Sequence, residues 1–345
     1  MTRAALLDRA HGMLAGVAVG DALGMPAEFL DPPTIAAWYG RIDGLRRADP
    51  RHPHHGLRAG SVTDDTDHTL LLADLVVRDG AVRPPALASA LLAWGTSERV
   101  RAHRFVGPST LKTLAALEAG TALAQVPRAG TSNGAAMRVA PLAIAFADRD
   151  VLEREVVASC AVSHHTRRAI SGAMAMAFAL AAALHDGATV DAVAAAAGEG
   201  ARRGLAHGDW TWTPPIDRRV DHALRWARTL PREALLEHLF VLMGVDMYAD
   251  ENVPDAIALA AAADGDPMEA MAMAANLGGD ADTLASMTGA LCGGLRGVAA
   301  FDDGALAQVE RVNGLDLRAT ARALLAVRGG AMPAPAGDAR PEGPA

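Results

Sequence analysis

Gly12-Met13-Leu14-Ala15-Gly16-Val17-Ala18-Val19-Gly20-Asp21-Ala22-Leu23-Gly24 is the stretch on which the fold turns. Apolar residues recur here at helical spacing, and a glycine returns every fourth residue, which strips one helix face bare and lets a neighbouring helix pack close. Neither the spacing nor the residues that follow suit a phosphate-binding loop. Outward from this stretch the same chemistry continues. Alanine-rich runs with Leu, Met and Val at three- and four-residue intervals dominate the chain, aromatics are only 4%, and alternating Val/Ile/Thr segments are almost absent. The pattern predicts an all-α protein, with helices over residues 6–23, 64–78, 109–117, 135–146, 166–185, 253–263 and 282–298 among others. Polar punctuation predicts loops over 46–60, 101–108 and 127–134, where functional groups are expected to gather.

The 345 residues, 51% hydrophobic and 21% charged, are enough for a sizeable core, and no internal repeat or long linker divides them. The domain is expected to span 1–328, followed by a disordered Gly/Pro/Ala-rich tail over 329–345 that buries too little to offset its ordering entropy. A net charge of -8, with scattered arginines and no basic stripe, argues against nucleic acid as the main partner. Cys160 and Cys292 lie far apart in apolar surroundings, so neither a disulfide framework nor a thiolate metal site can be drawn, and a reducing, cytoplasmic setting is expected. Charge interrupts the N-terminus before any secretory apolar core, and the longest apolar stretch, 173–184, falls short of the roughly 20 residues a bilayer needs. No membrane association is expected.

Two acidic clusters stand where a loop ends and an apolar helix begins: Thr63-Asp64-Asp65-Thr66 and Gly278-Gly279-Asp280-Ala281-Asp282-Thr283. Simple N-capping is one reading, since Thr and Asp accept from the free N–H groups of a first turn and suit the positive end of the helix dipole. A single cap needs one such residue, and each cluster offers several. If the two starts meet, carboxylates about 4 Å apart repel by about 4 kcal/mol per pair at an effective dielectric of about 20. No arginine adjoins either cluster in sequence, so a divalent cation is the alternative counter-charge, and all-oxygen ligands favour Mg²⁺ or Mn²⁺.

These residues carry a resemblance. The chain resembles the ADP-ribosylglycohydrolase family, whose relatives remove ADP-ribose from modified arginine or serine, cleave related conjugates, or survive as lens crystallins. The matching segments are residues 12–24 with Pro26-Ala27-Glu28-Phe29, then 60–66, Gly107-Pro108-Ser109-Thr110, Ser132-Asn133-Gly134-Ala135-Ala136-Met137-Arg138, 159–164 and 276–283, in family order. The resemblance implies a compact, single-domain orthogonal helical bundle with a two-metal floor in its cleft. It implies that Thr63, Asp64 and Asp65 serve one Mg²⁺ or Mn²⁺ ion, that Asp280 and Thr283 serve the other, and that Asp282 bridges them. It also implies that Glu28 sits over the metal pair in a catalytic role, with Asp64 and Asp65 the other candidate acids. Gly107 and the Thr131-Ser132-Asn133-Gly134 turn would approach the ligand's ribose and phosphates, and His164 would face the substrate.

Hydrolysis at the ribose anomeric carbon of an ADP-ribose conjugate is the implied activity. The alternatives are a ribosyl N-glycosidase acting on a small nucleoside or nucleotide, and a non-catalytic ADP-ribose-binding or crystallin-like protein. Departures from the family pattern include Val62, Asp67-His68 and Ser163. His68 lies four residues after Asp64 on one helix face, which predicts that it orients that carboxylate. His52, His54 and His55 in a Pro-rich loop read as a solvated cluster able to take a metal adventitiously. The segment 208–215, with Trp210 and Trp212, is expected either to roof the cleft or to pack on the surface. Met174, Met176, Met268, Met271 and Met273 read as core filler.

Overall fold

Thr2 caps the first helix of the computed structural model, α1 (Arg3–Gly24), its hydroxyl oxygen accepting from the Ala5 N–H. The structure describes residues 1–103 and 105–330, in which seventeen α-helices and no strand are found. Five more of these helices position the site: α2 (Asp64–Asp79), α3 (Pro108–Glu118), α4 (Arg167–Ala183), α5 (Ala249–Ala262) and α6 (Ala281–Arg296). The all-α expectation holds. Three isolated backbone bridges, Ala129 with His164, Ser132 with Tyr248 and Thr166 with Asp209, tie the loops near the cleft together.

The glycine stripe of α1 lies against α6. A Cβ added at Gly12, Gly16, Gly20 or Gly24 would stand 2.6, 2.0, 2.2 or 2.3 Å from a backbone oxygen of Gly293, Gly289, Ala285 or Ala281 respectively. Gly289 and Gly293 are equally bare on the other side. Backbone therefore meets backbone along the stripe, and among the buried side chains of α1 one acid, Asp21, is carried into the interior at 0% exposure. The rest of the core is the predicted Ala, Leu, Val and Met, including Met174, Met176, Met271 and Met273. Cys160 and Cys292 are buried free thiols.

Several expectations require correction. The helix predicted over 135–146 is a short turn at Asn133–Ala135 followed by a helix over only Ala140–Ala145, because the intervening backbone instead delivers the wholly buried Arg138 to the Ser159 carbonyl. Helices at Pro32–Tyr39 and Asp303–Asn313 escaped the periodicity reading. The first starts on a proline pair that reads as a loop, yet Pro suits a first helical turn and Asp31 caps it. The second buries only Leu306 and Val309, too few to show a stripe. A short helix, Glu98–His103, occupies the start of the predicted loop 101–108. Helix ends at Arg328, and the predicted tail from 331 onward lies outside the described residues. Among the described residues no single helix is long and apolar enough to cross a membrane.

Candidate active site

The two acidic helix starts meet. Thr63 Oγ1 lies 3.4 Å from Asp282 Oδ2, and Thr283 Oγ1 donates to Asp65 Oδ2 at 3.0 Å, so each start reaches across to the other. Capping does not account for them. Thr63 and Asp280 occupy the cap positions of α2 and α6, and neither side chain makes a capping hydrogen bond. The first turn of α2 is capped instead from α1. The Asp21 carboxylate accepts from the Thr63 N–H and Oγ1 at 3.0 and 2.8 Å and from the Thr66 N–H and Oγ1 at 3.1 and 2.6 Å. Asp21 is the organising residue that motif spacing did not single out. Its signal was an acid alone in an apolar helix, which needs partners if buried.

With capping supplied elsewhere, the cluster acids face one another. Among the described residues Asp21, Asp64, Asp65, Asp280 and Asp282 have no ion pair with Lys, Arg or His. The buried Arg138 senses Asp64 electrostatically but bonds the Ser159 carbonyl. Burial, reinforced by neighbouring acids, pushes the Asp64, Asp65 and Asp282 carboxyls well above the usual carboxylate range. Burial likewise raises Asp280 to about 7 and Asp21 to about 6, despite hydrogen bonds that pull both down. Asp65 Oδ1 is buried with no partner. Ligand oxygens of Glu28, Asp280 and Asp282 all fall within 4.8 Å of one another. Mutually repelling, all-oxygen groups with no paired basic side chain are the donor set a hard divalent cation requires, and these residues fit one.

Above this floor opens a cleft of about 540 Å³, inside the range of about 300–1,000 Å³ that holds drug-sized ligands. Glu28, Asp64, Asp280, Asp282 and Thr283 line its base, while Thr63 and Asp65 stand behind them. Gly278 and Gly279 both take positive φ, +77° and +65°, and a Cβ on them would lie 2.2 Å from the Leu30 carbonyl and 2.1 Å from the Val245 carbonyl. Only glycine fits there. That approach lets the Phe29 N–H donate to the Gly279 carbonyl and the Gly279 N–H to the Leu30 carbonyl, fastening the Glu28 loop to the start of α6. Phe29 is held at φ +57°, a left-handed conformation uncommon for a bulky residue.

The expected substrate residues divide. Gly107, Ser132, Asn133, Gly134 and His164 line the cleft, and Thr131 does not. Gly107 precedes α3 with no side-chain cap, leaving first-turn N–H groups beside the cleft. The Asn133 side chain turns inward, donating to Asp280 Oδ2 at 2.5 Å and to Asn252 Oδ1 at 2.6 Å. His164 holds Ser132 Oγ 2.9 Å from Nε2 and Ser163 Oγ 2.7 Å from Nδ1, and burial lowers its pKa to about 3. It is therefore a neutral ring, with one N–H and one lone pair, at working pH.

Two auxiliary expectations are overturned, and the alternative left open for residues 208–215 is decided for the surface. His68 does not bond Asp64: both ring nitrogens are buried without hydrogen-bond partners, and the ring packs edge-on to Trp94 at 4.3 Å. Helix periodicity set its face but not its rotamer. His52 and His54 are not solvated; they are 2% and 6% exposed and line the cleft beside Glu28. Trp210 and Trp212 do not roof it, standing 78% and 70% exposed outside the lining.

Comparison with known proteins agrees with this geometry. The ADP-ribosylglycohydrolase family model matches residues 2–334. YegU, an uncharacterized protein of Escherichia coli K12, is 33% identical over 327 residues, 93% of this chain and 97% of that protein. The ADP-ribosyl-(dinitrogen reductase) glycohydrolase of Rhodospirillum rubrum is 31% identical over 167 residues, 48% of this chain and 54% of that protein. A solved structure titled ADP-ribosylglycohydrolase-related protein complex aligns with a TM-score of 0.69 and 29% identity, covering 95% of this chain and 99% of that one. A match along nearly the whole chain, on a fold that brings its two acidic helix starts to one cleft floor, makes this protein a member of the ADP-ribosylglycohydrolase family.

Proposed function

We propose that the protein hydrolyses the glycosidic bond at the ribose anomeric carbon of an ADP-ribose conjugate, using a pair of Mg²⁺ or Mn²⁺ ions. Family membership makes it a hydrolase; the metal pair and the substrate are the proposal. One observation carries it: the acids of two distant helix starts face each other on a cleft floor, with no basic side chain paired to them among the described residues and no capping role to explain them.

Thr63, Asp64 and Asp65 would hold one ion and Asp280 and Thr283 the other, with Asp282 shared, and the bound ions would supply Lewis-acid polarisation of water and of ribose hydroxyls. The chain's own groups do the rest. Glu28, 14% exposed at the cleft base, is the acid placed to move a proton at the scissile bond, and Asp64 is the second candidate. Ser132 and Gly134 offer polar backbone to the sugar, and the free first-turn N–H groups behind Gly107 suit the anionic diphosphate. Neutral His164, both of whose ring nitrogens are engaged by the Ser132 and Ser163 hydroxyls, fixes the Ser132 hydroxyl at the cleft wall. The apolar wall of Phe105, Val106 and Met247 would exclude water once a substrate fills the cleft.

The test is incubation of the purified protein with arginine- and serine-linked ADP-ribosyl peptides, small ADP-ribose derivatives and nucleosides, followed by mass spectrometry. Loss of ADP-ribose from a conjugate that stops with EDTA, returns with Mg²⁺ or Mn²⁺ and disappears in Asp282→Asn is the expected result. Turnover of a free nucleoside alone would assign the protein to ribosyl N-glycosidases instead. Undiminished turnover by Asp282→Asn would remove the metal pair.

A further inference from the structure

Glu28 is gripped from two sides by a loop that the family reading leaves without a role. His52 Nε2 lies 2.8 Å from the Glu28 main-chain carbonyl, and His54 Nε2 contacts the Glu28 carboxylate at Oε2. The two histidines are themselves coupled. The His54 N–H donates to His52 Nδ1 at 3.1 Å, and the rings stand 5.2 Å apart. A ring nitrogen that accepts is bare, so the His52 proton sits on Nε2 and is donated to the Glu28 carbonyl. At His54 the proton on Nε2 faces the carboxylate, while Nδ1 is buried with no partner.

We propose that His54 is a positioning residue: its Nε2–H holds the Glu28 carboxylate over Asp280 and Asp282, and His52 locks the backbone from which that carboxylate projects. The inference rests on the reading of Glu28 as an acid of the reaction. Without the grip, two forces would carry the carboxylate away. Asp64, Asp280 and Asp282 all feel Glu28 as a like charge. The cleft in front of it is open to water, where a glutamate has many rotamers. His54 opposes both because its own ring is 6% exposed and cannot follow the carboxylate outward. The backbone fastening of Phe29 to Gly279 places the main chain but leaves the side-chain torsions free.

The test compares wild type, His54→Leu, His54→Gln, Glu28→Gln and the Glu28→Gln/His54→Leu double variant, each with its thermal midpoint measured. Gln can place an N–H near the position of imidazole Nε2, and Leu cannot. His54→Leu is expected to lower kcat about 10–100-fold, the usual cost of losing a supporting contact, with KM little changed. His54→Gln recovers most of that loss, and His54→Leu costs nothing further in the Glu28→Gln background. Wild-type kcat in His54→Leu, His54→Gln as slow as His54→Leu, or losses that simply add would each overturn the proposal. Crystal structures of wild type and His54→Leu give a second reading independent of turnover. The Glu28 carboxylate is expected to leave its place beside Asp280 and Asp282 in the variant, and an unmoved carboxylate would overturn the proposal. If wild type turns over none of the conjugates, the functional reading fails, and the crystal comparison still decides the role of His54.

Discussion

Asn133 illustrates how one residue's role depends on where its side chain is sent. It belongs to a Ser-Asn-Gly turn that the family resemblance sets against a ligand, yet its amide donates to Asp280 Oδ2 and Asn252 Oδ1 and so fixes a carboxylate of the floor. That hydrogen bond favours the ionised form of Asp280 against the burial that raises it. Removing it frees the carboxylate to rotate and makes it more costly to ionise. Asn133→Ala is therefore expected to weaken Mn²⁺ binding about 10–100-fold, measured by calorimetric titration, with the helical circular dichroism unchanged. Unaltered affinity would show that Asp280 is held by other means. His68 teaches the converse: a residue at ligand-orienting spacing ends as a buried ring against Trp94.

At the scale of elements, the close contact of α1 with α6 does two jobs at once. It removes the space a side chain would need, and it brings Asp21 beside the start of α2 while α6 delivers Asp280, Asp282 and Thr283. Gly16 is the tightest of the four α1 glycines, where a Cβ would stand 2.0 Å from the Gly289 carbonyl oxygen. Exchanging it for alanine gains about 1 kcal/mol of helix propensity and costs about 1–3 kcal/mol of overpacking. The clash is with backbone, which cannot yield without parting the helices, so the cost wins. Gly16→Ala is expected to be destabilised by up to about 2 kcal/mol in urea unfolding. Activity should fall further than stability explains, because the acidic starts separate with the helices. A variant more stable than wild type would show that the helices can part freely.

Over the whole molecule, the acidic floor links stability to pH and to metal. Asp280 and Asp21 take up protons at about 7 and about 6 in the folded state against an ordinary value of 3.8. Between pH 4 and 7 these acids, with Asp64, Asp65 and Asp282 raised alongside them, bind more protons in the metal-free folded state than in the unfolded chain. The stability they contribute thus falls as pH rises through that window, while the buried neutral His164 acts with the opposite sign. In EDTA the thermal midpoint is expected to be higher at pH 5 than at pH 8. Under the proposed function Mg²⁺ would bind the ionised acids and is expected to raise the midpoint more at pH 8 than at pH 5, adding about 2.7 kcal/mol at a concentration about 100-fold above Kd. Melting curves at pH 5, 6, 7 and 8, with and without Mg²⁺, check both signs. A midpoint that rises with pH in EDTA would contradict the linkage.

Local pattern alone settled the all-α class, the bare glycine face of α1 and the two oxygen-rich helix starts, because periodicity and helix-start chemistry are written within a few consecutive residues. The same information could not separate capping from ion binding, since both place Thr and Asp at a first turn. Tertiary structure removed capping as the account by bringing Asp21 from α1 to cap α2, which left the cluster acids facing one another across the cleft. It also buried His52 and His54 against Glu28 and left Trp210 and Trp212 in solvent. Such pairings join residues tens to hundreds of positions apart, and their partners are chosen by packing and desolvation of the assembled helices, which no local spacing encodes.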